Sequence, residues 1–273
     1  MTPRCYLFVP GDNDRMLAKA TERGADAVIV DLEDAVAPSA RAAALEGVRD
    51  WTRKHRAAAP EIWVRIPGAA PIDEISRLVG PGLSGVVFPK ANTASEVSMI
   101  AQVLSSTTDR PGLIVIIETA QALQNVDEVA GVPGVSRLMS GEADMAAQLG
   151  LAPDDENAWA PIRSRIVVAS AAAHLPGPIG PVNPDFSDPD ALRYESQVLR
   201  RQGFRSRAAI HPAQVAPYTD AFTPSEEELL AATEIIALYE AALADGRGAI
   251  VDDAGNMVDE AVVKIAQRRL ADS

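Results

Sequence analysis

The chain has 273 residues, the length of one or two domains at about 150 residues each, or of a single barrel of about 250. With 47% hydrophobic and 23% charged residues it has a globular balance, which excludes extended disorder and any need for disulfide or metal staples. Its 25 basic against 38 acidic residues give a formal net charge of −13, which with 4% aromatic residues argues against nucleic acid or an anionic membrane surface as partner.

The chain opens with Met1-Thr2-Pro3-Arg4, without the long apolar core of a signal peptide. Cys5 is the only cysteine, so no intramolecular disulfide can form, and no apolar run approaches the roughly 18 residues that cross a bilayer. A cytoplasmic protein is expected. Strands are predicted over Cys5–Val9, Ala27–Asp31, Ile62–Ile66, Gly85–Pro89, Leu113–Glu118, Ser136–Ser140, Gly177–Val182 and Arg207–Ile210, separated by longer Ala-rich helical stretches. This is the strand number of a TIM (β/α)8 barrel. Runs such as Ile114-Val115-Ile116-Ile117 are apolar throughout, as in strands covered on both faces. No strand leads into the G-x-G-x-x-G turn of the rival doubly wound, dinucleotide-binding sheet. The seventh segment, with Gly177, Pro178, Gly180 and Pro181, carries the weakest strand signal.

The barrel is expected to occupy residues 1–222. Thr223-Pro224-Ser225-Glu226 then reads as an N-cap, a proline at N1 and an acid at N3 of a helix running to about Leu243, with Gly246 as its stop. Ala249–Asp259 reads as a turn between two short extended pieces, ahead of a final helix through Ala271. Residues 223–273 are thus expected to form an extension that is either a packing accessory or a lid.

Catalytic groups of such barrels lie at the C-terminal strand ends. Here those ends supply Asp31-Leu32-Glu33-Asp34, Arg65, Lys90, Glu118, Gly141-Glu142-Ala143-Asp144 and His211. Glu118 follows four β-branched residues, where an unpaired carboxylate is costly. With Asp144 it offers two hard oxygen ligands suited to Mg2+, while the lack of a thiolate cluster or paired histidines disfavours zinc. The spacing equally allows Glu118 to pair with Arg65 or Lys90, and Asp144 to cap a helix over Met145–Leu149. Arg65 suits capture of a substrate carboxylate or an enolate oxygen, or a salt bridge to Glu33 or Glu118. Asp31 and Glu33, two apart, share a strand face and place at least one acid against a cation or water. His211 reads as structural or cofactor-proximal in preference to catalytic.

Together, Leu7-Phe8-Val9-Pro10-Gly11-Asp12, Val30-Asp31-Leu32-Glu33-Asp34-Ala35-Val36, Phe88-Pro89-Lys90, Ile117-Glu118-Thr119-Ala120, Ala209-Ile210-His211-Pro212-Ala213-Gln214 and Ala221-Phe222-Thr223-Pro224-Ser225 resemble the citrate lyase beta-subunit-like family of the HpcH/HpaI aldolase superfamily, which includes malyl-CoA and citramalyl-CoA lyases. The resemblance implies a barrel that binds Mg2+ through Glu118 and Asp144, with Arg65 facing the substrate. It also implies a trimer in which the C-terminal lid brings Asp259, the proton-transfer group, to the next subunit's site, and CoA contacts near Arg15 and Lys19. The catalytic candidates are Arg65, Asp259 and Glu33. The implied reaction is cleavage of a short 3-hydroxy-3-carboxyacyl-CoA into acetyl- or propionyl-CoA and a 2-oxo acid. The alternatives are a metal-dependent aldolase on free 2-oxo acids and the beta subunit of a citryl-carrier lyase complex.

This sequence departs from the family pattern at several points. Pro67 stands where relatives usually carry Asn, and Gly180 lies where they often have Asp. The metal loop reads Gly141-Glu142-Ala143-Asp144 where many relatives have an acid adjacent to the aspartate, with Glu142 as the compensating acid. Gly203-Phe204-Arg205-Ser206-Arg207 replaces a commoner Gly-Phe-Asp-Gly-Lys, adding positive charge near the expected CoA pocket.

Overall fold

The computed structural model describes residues 2–55, 60–68 and 70–272. Eight parallel strands, β1 (Cys5–Pro10), β2 (Ala27–Asp31), β3 (Glu61–Arg65), β4 (Gly85–Phe88), β5 (Gly112–Ile117), β6 (Val135–Ser140), β7 (Ile179–Gly180) and β8 (Ser206–Ala209), close into a barrel in chain order. Closure is made by Cys5, Tyr6 and Leu7 of β1 against Arg207, Ala208 and Ala209 of β8. The fold is the α/β barrel that the strand count predicts.

Alternate strand residues point to opposite faces. Tyr6, Ile29, Trp63, Val87, Ile116 and Met139 form an apolar cluster inside the barrel, while Leu7, Val28, Val64 and Leu138 join the larger core that includes the surrounding helices. Trp63 fills much of the interior. A Cβ at Gly85 would run into its indole, and one at Gly112 would stand 2.9 Å from it, so these two strand starts are left without side chains. The same alternation places polar residues at the other end. Two residues beyond Ile29 is Asp31, two beyond Trp63 is Arg65 and two beyond Ile116 is Glu118. Strand parity therefore carries these three groups to the barrel mouth.

The seventh strand is much shorter than the predicted Gly177–Val182. Only Ile179 and Gly180 join the ladder, in one register pair with β6 and two with β8. Pro178 and Pro181 bracket this pair and have no N–H to donate. The backbones are also close here, since a Cβ at Gly180 would lie 3.2 Å from the Ser206 carbonyl oxygen.

Residues Pro3–Phe222 form one compact unit, and residues 223–272 together with Thr2 form a second. In the second unit a helix over Glu226–Ala244 is followed by an antiparallel pair, β9 (Ile250–Val251) and β10 (Met257–Val258), and a helix over Glu260–Ala271. Tyr239, Val258 and Val263 anchor its own small core. The first of these helices starts differently from expectation. Its N-cap is Ser225, whose hydroxyl accepts from the Glu228 N–H while the Glu228 carboxylate accepts from the Ser225 N–H. A reciprocal box satisfies two backbone donors, and that pairing outcompetes the Thr223–Glu226 spacing. Among the described residues no helix is long and apolar enough to cross a membrane.

Candidate active site

A cavity of about 330 Å³ opens at the C-terminal ends of the strands. Its apolar wall comes from Phe8, Ile116, Met139, Val182 and Ile210, and its polar groups include Asp31, Asp34, Arg65, Glu118, Glu142 and Asp144. Arg65, Glu118 and Asp144, three of the residues singled out in the sequence, therefore face one space.

Arg65 is fixed from below. It and Asp31 are register partners on adjacent strands, and its Nε and Nη2 each donate to an Asp31 carboxylate oxygen at 2.7 Å. The other two acceptor positions of Asp31 take the backbone N–H groups of Glu33 and Ala35 at 2.9 and 3.0 Å. The remaining Arg65 nitrogen, Nη1, lies 3.0 Å from Glu33 Oε2 and 3.2 Å from Asp34 Oδ2. The contact with Glu33 is an ion pair without hydrogen-bond alignment, and among the described residues no donor bonds to Oε2. Burial works against the Arg65 charge, but Asp31, followed by Glu33 and Asp34, outweighs it and holds the guanidinium protonated. The ring of Phe8 lies 5.2 Å beneath it.

Glu33 is buried beside the cavity and does not line it. Lys90 Nζ reaches its Oε1 at 3.0 Å. Burial pushes the Glu33 carboxyl up from its ordinary value, against the opposing pull of Arg65 and Lys90.

Glu118 is only 4% exposed. The Lys90 backbone N–H donates to its Oε1 at 2.6 Å, and among the described residues no side-chain cation pairs with it. The expected alternative, a salt bridge from Arg65 or from the Lys90 ammonium, is therefore not what holds Glu118. Burial pushes its carboxyl up to about 8, the Lys90 N–H opposes this, and the charges of Glu33 and Asp144 add to it. A Cβ on Gly141 would clash with Glu118 Cβ and lie 3.0 Å from Oε2, so the glycine leaves room for this carboxylate.

Asp144 is exposed within the first turn of a helix over Glu142–Leu149. It is not the cap of that helix. The helix begins earlier than expected, from Gly141, without a side-chain cap. Its first residue, Glu142, is held instead by Arg163 of the helix Glu156–Ala172, through paired hydrogen bonds of 2.7 and 2.8 Å. Arg163 is 5% exposed and also donates to Glu156 at 2.7 Å. Glu142 is thus occupied as an anchor for the Asp144 loop, not as a free compensating acid. Nothing local marks this role, because an arginine within a helix reads as a surface residue.

The donor set fits a hard divalent cation. Glu118 and Asp144 supply oxygen only, and among the described residues no group of three or more His, Cys, Asp or Glu is gathered to hold a metal alone. Two carboxylates with the remaining positions left to water and substrate is the pattern of Mg2+. Among the described residues five acids, Asp31, Glu33, Asp34, Glu118 and Asp144, gather around two cations, Arg65 and Lys90. An anionic substrate entering this site requires further positive charge.

The other sequence candidates lie elsewhere. Arg15 and Lys19 are exposed on the helix Asp14–Ala20 and do not line the cavity. Asp259 belongs to the second unit, where it caps the helix Glu260–Ala271 by accepting from the Val262 N–H at 3.0 Å. His211 takes the structural role: its ring stacks on Phe186 at 4.1 Å and its Nδ1 accepts from the Ala213 N–H. Arg207 adds no surface charge. It is buried against Glu195, Ser196, the Pro181 carbonyl and the ring of Tyr218.

Residues 4–212 match the family described as HpcH/HpaI aldolase/citrate lyase. The chain is 31% identical over 304 positions to the L-malyl-CoA/beta-methylmalyl-CoA lyase of Cereibacter sphaeroides (strain ATCC 17029 / ATH 2.4.9), covering 97% of this chain and 92% of that protein. It is 33% identical over 277 positions to a citrate lyase subunit beta-like protein of Deinococcus radiodurans, covering 98% and 96%. Its fold is similar to the crystal structure of CitE from Mycobacterium tuberculosis in complex with magnesium, acetoacetate and coenzyme A. The TM-score is 0.81 at 29% identity, over 98% of this chain and 97% of that one. The chain therefore belongs to the HpcH/HpaI aldolase/citrate lyase family and is a carbon–carbon lyase.

Proposed function

We propose that the chain is a Mg2+-dependent lyase that cleaves a short 3-hydroxy-3-carboxyacyl-CoA, of the citramalyl-CoA or malyl-CoA type, into acetyl- or propionyl-CoA and a 2-oxo acid. The observation that carries this reading is the buried Glu118 carboxylate, facing the cavity beside Asp144 with, among the described residues, no cationic side chain paired to it. The similarity to a malyl-CoA/methylmalyl-CoA lyase, and to a CitE structure holding magnesium, acetoacetate and coenzyme A, supports it.

Glu118 and Asp144 would hold the cation, which when bound supplies positive charge for the substrate's carboxylate and hydroxyl oxygens. Arg65, locked in place by Asp31, faces the charge that develops on the thioester oxygen as the carbon–carbon bond breaks. The hydroxyl proton leaves in that step and the released thioester carbon takes one up; we assign both to Asp259 on the extension of a neighbouring copy of the chain, its carboxylate accepting the first proton and returning it to the carbon. Glu33 acts beside the cavity by holding Lys90 and Arg65. The apolar wall of Phe8, Ile116, Met139, Val182 and Ile210 suits a short aliphatic substituent. Arg15 and Lys19 are the proposed contacts for the CoA phosphates, and a cytoplasmic homotrimer is the proposed assembly.

A mass-spectrometric cleavage assay over citramalyl-, malyl-, methylmalyl- and citryl-CoA, with Mg2+ and with chelator, tests this. Metal-dependent release of acetyl- or propionyl-CoA from one member is expected. No turnover of any thioester, with cleavage of free hydroxy-oxo acids or dependence on a phosphopantetheinylated carrier protein, would overturn it.

A further inference from the structure

We infer that Lys90 is a positioning residue for the cation site, holding Glu118 with its backbone and Glu33 with its side chain. The inference rests on the proposed role of Glu118 as a cation ligand.

Lys90 follows β4 and Pro89 and has a φ of 52°. Among the described residues only Arg110 and His174 share a positive φ without being glycine. Such a conformation costs energy for a residue with a Cβ and persists where surrounding contacts enforce it. At Lys90 two contacts do so, one on each side of the Cα. The N–H donates to Glu118 Oε1 at 2.6 Å, and Nζ lies 3.0 Å from Glu33 Oε1 and 3.6 Å from Asp34 Oδ1. The side chain does not line the cavity; it reaches Glu33 and Asp34, and bears on Glu118 by holding the backbone whose N–H donates to that carboxylate.

The division of labour follows from the geometry. With Oε1 occupied by the Lys90 N–H, Glu118 presents its other oxygen, the one beside Gly141, to the cavity. The carboxylate is thereby oriented before a cation arrives. The ammonium meanwhile compensates Glu33, a buried acid that would otherwise rest on Arg65 alone. Partners that orient a metal-binding carboxylate in this way typically change metal affinity by about 10- to 100-fold when removed.

The test is calorimetric titration of Mg2+ into metal-free protein without substrate, on wild type, Lys90→Met and Lys90→Arg. Lys90→Met keeps the N–H but loses the ammonium that holds the positive-φ backbone, so the N–H contact to Glu118 slackens and Mg2+ binding is expected to weaken by about 10- to 100-fold; tighter binding, the result if the ammonium only repels the cation, overturns the role. Lys90→Arg, which can still pair with Glu33, is expected to stay close to wild type. Turnover by Lys90→Met is expected to fall at limiting Mg2+ and recover at saturating Mg2+. If Lys90→Met fails to fold, the double variant Lys90→Met with Glu33→Gln removes the stranded acid and is titrated in its place. Wild-type Mg2+ affinity in the folded variant overturns the role of Lys90 alone. Absence of Mg2+ uptake by wild type overturns instead the reading of Glu118 as a ligand.

Discussion

Arg65 and Asp31 are register partners on adjacent barrel strands, joined by two parallel hydrogen bonds of 2.7 Å. A guanidinium fork matched to a carboxylate in this way is fixed in direction as well as position. The pair is the rigid floor of the cavity, and its stiffness has measurable consequences.

Replacing Asp31 by Asn leaves the half-buried Arg65 with an incomplete set of partners. Breaking one side of such a pair costs about 3–5 kcal/mol, and the surviving contacts with Glu33 and Asp34 place this case near the low end. Urea denaturation of Asp31→Asn is expected to show a loss of about 3 kcal/mol. A stability equal to wild type would mean that the clamp does not bear on folding.

Glu118 gives a pH-dependent signature in the metal-free protein. Its carboxyl sits near 8 in the folded chain against an ordinary 4.5, so between these values the folded state holds a proton that the unfolded state has released. The associated stability is fully present below about pH 4.5 and is lost as pH rises through 8. Glu118→Gln removes the titration. Its melting temperature, measured with chelator, is expected to gain on wild type by about 2–4 °C or more between mildly acidic and mildly alkaline buffer. A difference that stays constant across that range would contradict the raised carboxyl.

At Gly141 the prediction concerns space. A methyl group there would clash with Glu118 Cβ and stand 2.8 Å from Ile116 Cγ2. Gly141→Ala is expected to cost about 1–3 kcal/mol in overpacking and to weaken Mg2+ uptake by roughly tenfold as Glu118 shifts. Calorimetry and thermal melting read the two effects separately, and unchanged Mg2+ uptake would show that Glu118 need not sit where it does.

Trp63 offers a test of the barrel itself. Its indole occupies the space over Gly85 and Gly112, so truncation leaves a void that no neighbouring side chain can fill. Trp63→Ala is expected to destabilise by about 3–5 kcal/mol in urea denaturation. A loss below about 1 kcal/mol would indicate that the interior closes by backbone movement.

The barrel and much of the mouth were legible in the chain because both follow from local patterns. Continuous apolar runs mark strands buried on both faces, and the polar residues that end them, Asp31, Arg65 and Glu118, sit on the inward parity. What escaped was set by pairings distant in sequence. That Arg65 faces Asp31 depends on the β2–β3 register. The anchoring of Glu142 by Arg163 joins residues 21 apart on separate helices. Arg207 reads as a surface charge until Glu195 and Tyr218 are seen to enclose it. The left-handed turn at Lys90 has no local marker, since its residue type is neither glycine nor asparagine. The two prolines around β7, by contrast, did announce a weak strand.

That two-residue strand gives the barrel a seam. The β6–β7 and β7–β8 ladders hold one and two register pairs, against five between β1 and β2. Local opening concentrates where backbone pairing is thinnest. Val182, just past the seam, belongs to the cavity wall, whereas the Arg65–Asp31 clamp belongs to a fully laddered flank. The clamp is thus held by full backbone pairing, whereas the wall at Val182 leans on side-chain contacts, Arg137 to the Gly177 carbonyl and Arg207 to the Pro181 carbonyl, to make up for a thin ladder.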